Sequence, residues 1–127
     1  FEIGDDEIEI GMGIHGEPGI KREKLKSANE LVDDLYKRII DDSKLKANDN
    51  VAIMVNSLGA TPLEELYIVS KKLNENLTIS KIVNSKTYVG RYATSMEMAG
   101  MSITTLKLNE NLKKYLFSKS ECPFWNN

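Results

Sequence analysis

Val51-Ala52-Ile53-Met54-Val55-Asn56-Ser57-Leu58-Gly59-Ala60-Thr61-Pro62-Leu63-Glu64-Glu65-Leu66 is the stretch on which the fold class turns. The apolar run from Val51 to Val55 has no polar alternation, which suits a strand covered on both faces or lying at a sheet centre. After a short polar exit, Thr61 stands where a helix cap belongs, Pro62 fits the first turn, and Glu64 holds the reciprocal capping position. Leu63, Leu66, Tyr67, Val69, Ser70 and Leu73 then recur at helical spacing, so a helix is predicted from Pro62 to about Asn74 with its stripe toward a core. The junction's free amides suit an anion. No lysine-bearing phosphate loop accompanies them, and an ordinary tight connection accounts for the same residues.

Working outward, Ser27 and Glu30 have capping-box spacing ahead of Leu31, Val32, Leu35, Ile39 and Ile40, which predicts a helix ending near Asp42 and a polar loop over 43–50. Ile79, Ile82, Val83, Tyr88, Val89 and Tyr92 favour extended structure, interrupted by a turn at Asn84-Ser85-Lys86. Residues 94–100 read as a small-residue turn, Met101 to Lys107 as an alternating strand, and Asn109 to Leu116 as a short helix. Residues 118–127 form a tail whose Phe124 and Trp125 are expected to dock on a surface completed by another part of the protein. Near the start, Ile8, Ile10, Met12 and Ile14 alternate with Glu7, Glu9, Gly11 and Gly13, the period of a half-buried strand. The expected architecture is α/β: a two-layer sandwich with a mixed β-sheet of four or more strands and helices packed on one face.

At 127 residues with 41% hydrophobic content, the chain fits one globular domain. The net charge of −2 and scattered Lys and Arg give nucleic acid no footprint. The densest basic stretch, Lys21-Arg22-Glu23-Lys24-Leu25-Lys26, reads as a solvated connection ahead of a helix. Neither an 18-residue apolar run nor a basic-then-apolar leader is present, so the expectation is a soluble cytoplasmic protein without a membrane partner. Cys122 is the sole cysteine; it suits a reducing compartment, and no metal site is assigned to the chain.

The residue types that point to chemistry lie in Gly11-Met12-Gly13-Ile14-His15-Gly16-Glu17-Pro18-Gly19, where the only histidine is surrounded by glycines and a proline. Such a loop lets another molecule approach the main chain, and its histidine falls on the face opposite the apolar residues of the preceding strand. His15 either reaches a ligand or caps its own turn. Glu17 either orients the imidazole or satisfies turn amides. Thr94 and Ser95 lack a local base and read as turn scaffolding, and Met96, Met98 and Met101 read as flexible core packing.

The histidine loop resembles that of the dihydroxyacetone kinase family, in the second half of its substrate-binding unit. Asn56-Ser57-Leu58-Gly59-Ala60-Thr61-Pro62-Leu63-Glu64-Glu65-Leu66-Tyr67 and Thr94-Ser95-Met96-Glu97-Met98-Ala99-Gly100-Met101-Ser102-Ile103-Thr104 agree with the same family in the same order. The resemblance runs from about Phe1 to about Leu108, with a weaker echo at Pro123-Phe124-Trp125. It implies that residues 1–127 are the C-terminal domain of a longer subunit, an expectation that the patterned start at Phe1 also supports. It further implies that His15 holds dihydroxyacetone as a covalent hemiaminal, with Gly16 and Glu17 beside the substrate. The catalytic base would come from the preceding half, and ATP or ADP with magnesium from a partner domain or subunit, in a homodimeric full-length protein. Such addition needs a neutral ring with a free lone pair, which histidine supplies near neutral pH. A paralogue that senses the same ketone and signals to a transcription regulator would keep the same loop, and an apolar-ligand domain of related architecture is a third reading.

Overall fold

The computed structural model describes residues 2–123 and 125–126. Strand β1 (Glu7–Ile10) pairs antiparallel with β2 (Lys21–Lys24), placing Glu7 opposite Lys24 and Glu9 opposite Arg22. Most of the basic stretch, Lys21 to Lys24, is therefore a strand and not a connection, though it is solvated as expected. Opposite charges across the ladder stabilise a strand that has almost no apolar face of its own. The alternation of apolar residues persists to Ile14, but the strand stops at Ile10 because the chain leaves it at Gly11.

Helix α1 (Ala28–Ser43) begins at the expected capping box: the Glu30 N–H donates to Ser27 Oγ, and the Ser27 N–H donates to the Glu30 carboxylate at 3.1 Å. It ends at Lys44, which adopts a left-handed conformation with φ 54. Strand β3 (Asn50–Gly59) continues past the apolar run through the segment read as a polar exit. Helix α2 (Leu63–Ile79) starts from Pro62 as its N-cap, with no side-chain capping bond, so Thr61 and Glu64 do not form the expected cap. The Thr61 carbonyl instead accepts the Ser57 hydroxyl at 2.7 Å, which holds Thr61 outside the helix. Helix α2 also runs five residues past Asn74, because Leu77 extends its buried stripe.

Strand β4 (Val83–Gly90) lies parallel to β3, and β5 (Ala99–Lys107) lies antiparallel on its other side, giving a mixed sheet in the order β4-β3-β5. This sheet has three strands, not four or more; β1 pairs only with β2 among the described residues. The turn expected at Asn84-Ser85-Lys86 is a bulge within β4: Val51 faces Asn84, Ala52 faces Lys86, and Ser85 is the extra residue. Its hydroxyl donates to Asn50 Oδ1, so the three polar residues bend the strand without ending it.

One face of β3, carrying Val51, Ile53 and Val55, packs with Val32, Leu66, Val69, Leu73 and Leu77 of the two long helices. Tyr36 and Ile40 of α1 complete the layer. The mixed α/β architecture with helices over one sheet face is as the sequence predicts. On the opposite face Met54 stands beside Tyr88, and Trp125 lies 4.5 Å from the Tyr88 ring and 5.4 Å from that of Tyr92. Helix α3 (Glu110–Leu116) precedes a small hairpin of β6 (Glu121–Cys122) and β7 (Trp125–Asn126), which brings the tryptophan there. Trp125 thus docks on its own chain's sheet; Phe124 lies outside the described residues. Among the described residues, no helix is long and apolar enough to cross a membrane.

Candidate functional site

The histidine loop spans residues 11–19, between β1 and β2, and is closed at its base by the Ile20 N–H donating to the Ile10 carbonyl at 2.8 Å. Higher up, the Gly13 N–H donates to the Glu17 carbonyl and the Gly16 N–H to the Gly13 carbonyl, both at 3.0 Å. Gly16 takes φ +87, a left-handed conformation that an L side chain adopts only with strain, and this tight turn carries His15 at its apex. The His15 side chain is 89% exposed and that of Glu17 63%. Both ends of the Glu17 carboxylate meet the histidine: Oε2 accepts the His15 N–H at 3.2 Å, and Oε1 lies 3.7 Å from Nδ1. Glu17 therefore does both things the sequence left open, satisfying a turn amide and standing beside the ring. The structure brings His15, Gly16 and Glu17 together on one exposed turn.

The other two singled-out motifs meet each other. Asn56, near the end of β3, is only 3% exposed, and its Nδ2 donates to the Ala93 carbonyl at 2.7 Å and to Ser102 Oγ at 3.4 Å. Its Oδ1 accepts the N–H groups of Tyr92 and Ala93 at 2.8 and 3.1 Å. The Gly59 N–H donates to Thr94 Oγ1 at 2.9 Å, and the Ala60 N–H to the Met98 carbonyl at 2.7 Å. Thr94 is thus part of a clamp that fixes the 92–98 loop on the end of β3, as the scaffolding reading requires. The methionines do not share one environment: Met101 packs on the core, whereas Met96 is 95% exposed and cannot be core packing. Sequence reasoning missed Asn56 as a clamp, although an amide closing a buried apolar run was a signal that it must find partners.

At the carboxyl ends of the parallel strands β3 and β4, ahead of α2, a cleft of about 390 Å³ is lined by Ser57, Thr61, Leu63, Val89, Gly90 and Arg91. Burial raises the pKa of the Tyr92 phenol at the edge of this region, with the neighbouring Tyr67 adding to the effect. Among the described residues, no three His, Cys, Asp or Glu side chains converge as a metal site demands.

The Dak1 domain family model matches residues 1–124. A relative from Listeria innocua, the dihydroxyacetone-binding subunit of a PTS-dependent dihydroxyacetone kinase, is 52% identical over 110 residues, covering 87% of this chain and 33% of its own length. Among solved structures, a dihydroxyacetone kinase operon co-activator superposes with a TM-score of 0.85 at 30% identity, over 94% of this chain and 38% of the other. The dihydroxyacetone kinase from C. freundii, solved with AMP-PNP and Mg2+, gives 0.77 at 25% identity, over 98% of this chain and 23% of the other. The chain thus spans about a third of the length of the curated relative it matches. With the fold and the ordered motifs in agreement with a family match over nearly its whole length, the chain belongs to the Dak1 domain family.

Proposed function

We propose that this chain is the histidine-bearing, C-terminal domain of a dihydroxyacetone kinase substrate-binding subunit, and that His15 holds dihydroxyacetone as a hemiaminal. The observation that carries the reading is the exposure of the His15 ring at the apex of a closed turn, with Glu17 beside Nδ1. A proton on Nδ1 facing that carboxylate leaves Nε2 with its lone pair free. Attack by Nε2 on the ketone carbon forms the N–C bond while the carbonyl π pair moves to oxygen. That oxygen takes a proton and the ring gives up its Nδ1 proton, so the step needs no oxidant or reductant. Glycerol has the same terminal hydroxyls but no carbonyl, and capture rejects it on that ground.

Phosphoryl transfer then needs a base for the terminal hydroxyl and a nucleotide with magnesium. In this reading the base belongs to the preceding half of the subunit, and ATP or ADP with magnesium to a partner domain or subunit. The full-length protein is a cytoplasmic homodimer.

Intact-mass measurement of the full-length protein with dihydroxyacetone tests the capture step. The adduct is expected in the wild type and absent in His15→Ala; an equal adduct in the variant refutes it. The likeness to an operon co-activator favours a second reading, in which the same capture reports the ketone to a transcription regulator. Phosphorylation of dihydroxyacetone by the full-length protein with its partners separates the two, being present only in the first.

A further inference from the structure

The loop that carries His15 holds four glycines among residues 11–19, and glycine loses the most conformational freedom on ordering. The few bonds within the turn therefore gain from a restraint supplied outside it. Glu9 of β1 is in place to supply it. Its side chain is 10% exposed, although the alternation of β1 assigns it to the polar face. Oε1 accepts the Gly19 N–H at 2.7 Å, and Oε2 accepts Nε and Nη2 of Arg22 at 3.2 and 3.0 Å. The guanidinium in turn donates to the Glu2 carbonyl at 3.4 Å. One carboxylate thus spans from the outgoing limb of the loop to the strand that follows it. The Gly19 N–H, and after it Arg22, hold the Glu9 carboxyl below the ordinary glutamate range despite its partial burial.

We propose that Glu9 is a positioning residue for the His15 loop, keeping it in the conformation that presents the imidazole. The inference rests on the reading of His15 as the residue that captures dihydroxyacetone. It assigns Glu9 no contact with the substrate. Its consequence is that losing Glu9 lowers the fraction of molecules with a competent loop and weakens capture by that same fraction, without removing the capacity to capture at saturation.

The experiment compares wild type, Glu9→Ala and Arg22→Ala in the full-length protein. Backbone NMR order parameters report on the loop, and intact-mass titration with dihydroxyacetone reports on capture. In Glu9→Ala the order parameters of residues 13–17 should fall from the rigid range near 0.85 to below about 0.6, with β1 and β2 unchanged. Half-maximal capture should move to about tenfold higher dihydroxyacetone at unchanged maximal adduct. Arg22→Ala keeps the Glu9 to Gly19 bond and should stay within about twofold of wild type. A rigid loop with wild-type capture in Glu9→Ala overturns the proposal. So does a loss of order throughout β1 and β2, which makes Glu9 a strand-pairing residue instead. If the wild type forms no adduct while the loop loosens as expected, positioning by Glu9 stands and the His15 reading falls.

Discussion

Replacing Asn56 with alanine removes one amide and leaves three backbone groups without their partner: the N–H of Tyr92, and the N–H and carbonyl of Ala93. A buried backbone group left unpaired costs about 1–3 kcal/mol. Tyr92 is half-buried and Ala93 exposed, so water reaches part of the gap and the low end applies. Three groups at about 1 kcal/mol each give a loss of about 3 kcal/mol, against a typical total stability of about 5–15 kcal/mol. Urea unfolding followed by circular dichroism, analysed at constant m-value, measures it. A loss below about 1 kcal/mol refutes the clamp as a stabilising element. Asn56→Asp sharpens the test, because the new carboxyl keeps the two accepted bonds but sets an oxygen against the Ala93 carbonyl. Burial raises its folded pKa above the unfolded value of about 3.9, so the folded state binds the proton more tightly. Destabilisation should then be small below pH ~4 and should grow as pH rises above it. A deficit that does not change with pH refutes that account.

Gly59→Ala places a methyl group on a residue at φ +75 and against the Met98 carbonyl, which already accepts the Ala60 N–H. The left-handed backbone and the displaced bond together should cost more than about 2 kcal/mol, read as a lower thermal midpoint; an unchanged midpoint overturns the expectation. Acid should unfold the domain partly through Asp33 and Asp49. The Asn76 amide and then Lys72 lower the pKa of Asp33, and Lys107 followed by the Lys46 N–H lowers that of Asp49. Because both folded values are depressed, their contribution is complete above the unfolded pKa near 4 and is lost as pH falls through the folded one. Asp49→Asn should therefore flatten stability against pH below about 4, and an unchanged slope there counts against the assignment.

The elements that bury an apolar stripe were legible. Val51 to Val55 read correctly, as did Val32 and Ile40 of α1 and Leu66, Val69, Ser70 and Leu73 of α2, because a period of 3.6 or a continuous apolar run is a statement about burial; Leu63 and Tyr67, read into the same α2 stripe, are instead exposed. The residues that misled share a different cause: what decides their conformation lies far along the chain. Lys21 to Lys24 have no apolar period, and their strand exists because β1 offers carboxylates opposite them. Asn84 and Ser85 carry turn chemistry, yet Asn74, Thr87 and Asn50 take their side-chain bonds and hold them in a bulge. Trp125 looked available to another surface because nothing local to it announces Tyr88 and Tyr92.

The same distinction runs through the candidate site. Its histidine stood out in the sequence, since a lone imidazole among glycines has no neighbouring side chain to hide it, although the residues left open whether it reaches a ligand or caps its turn. The parts that fix its position did not stand out, because each is a carboxylate acting on backbone outside its own residue. Glu17 reaches back to the His15 N–H, and Glu9 reaches across to the Gly19 N–H. Both are acceptor-only groups serving donors that a glycine loop cannot satisfy with side chains of its own. The glycine-rich loop thus finds carboxylate acceptors at both its base and its tip. The imidazole itself stays 89% exposed, with the Glu17 carboxylate 3.7 Å from Nδ1. Packing the ring against the core would have given it neighbours at the loss of that exposure, on which the proposed capture depends.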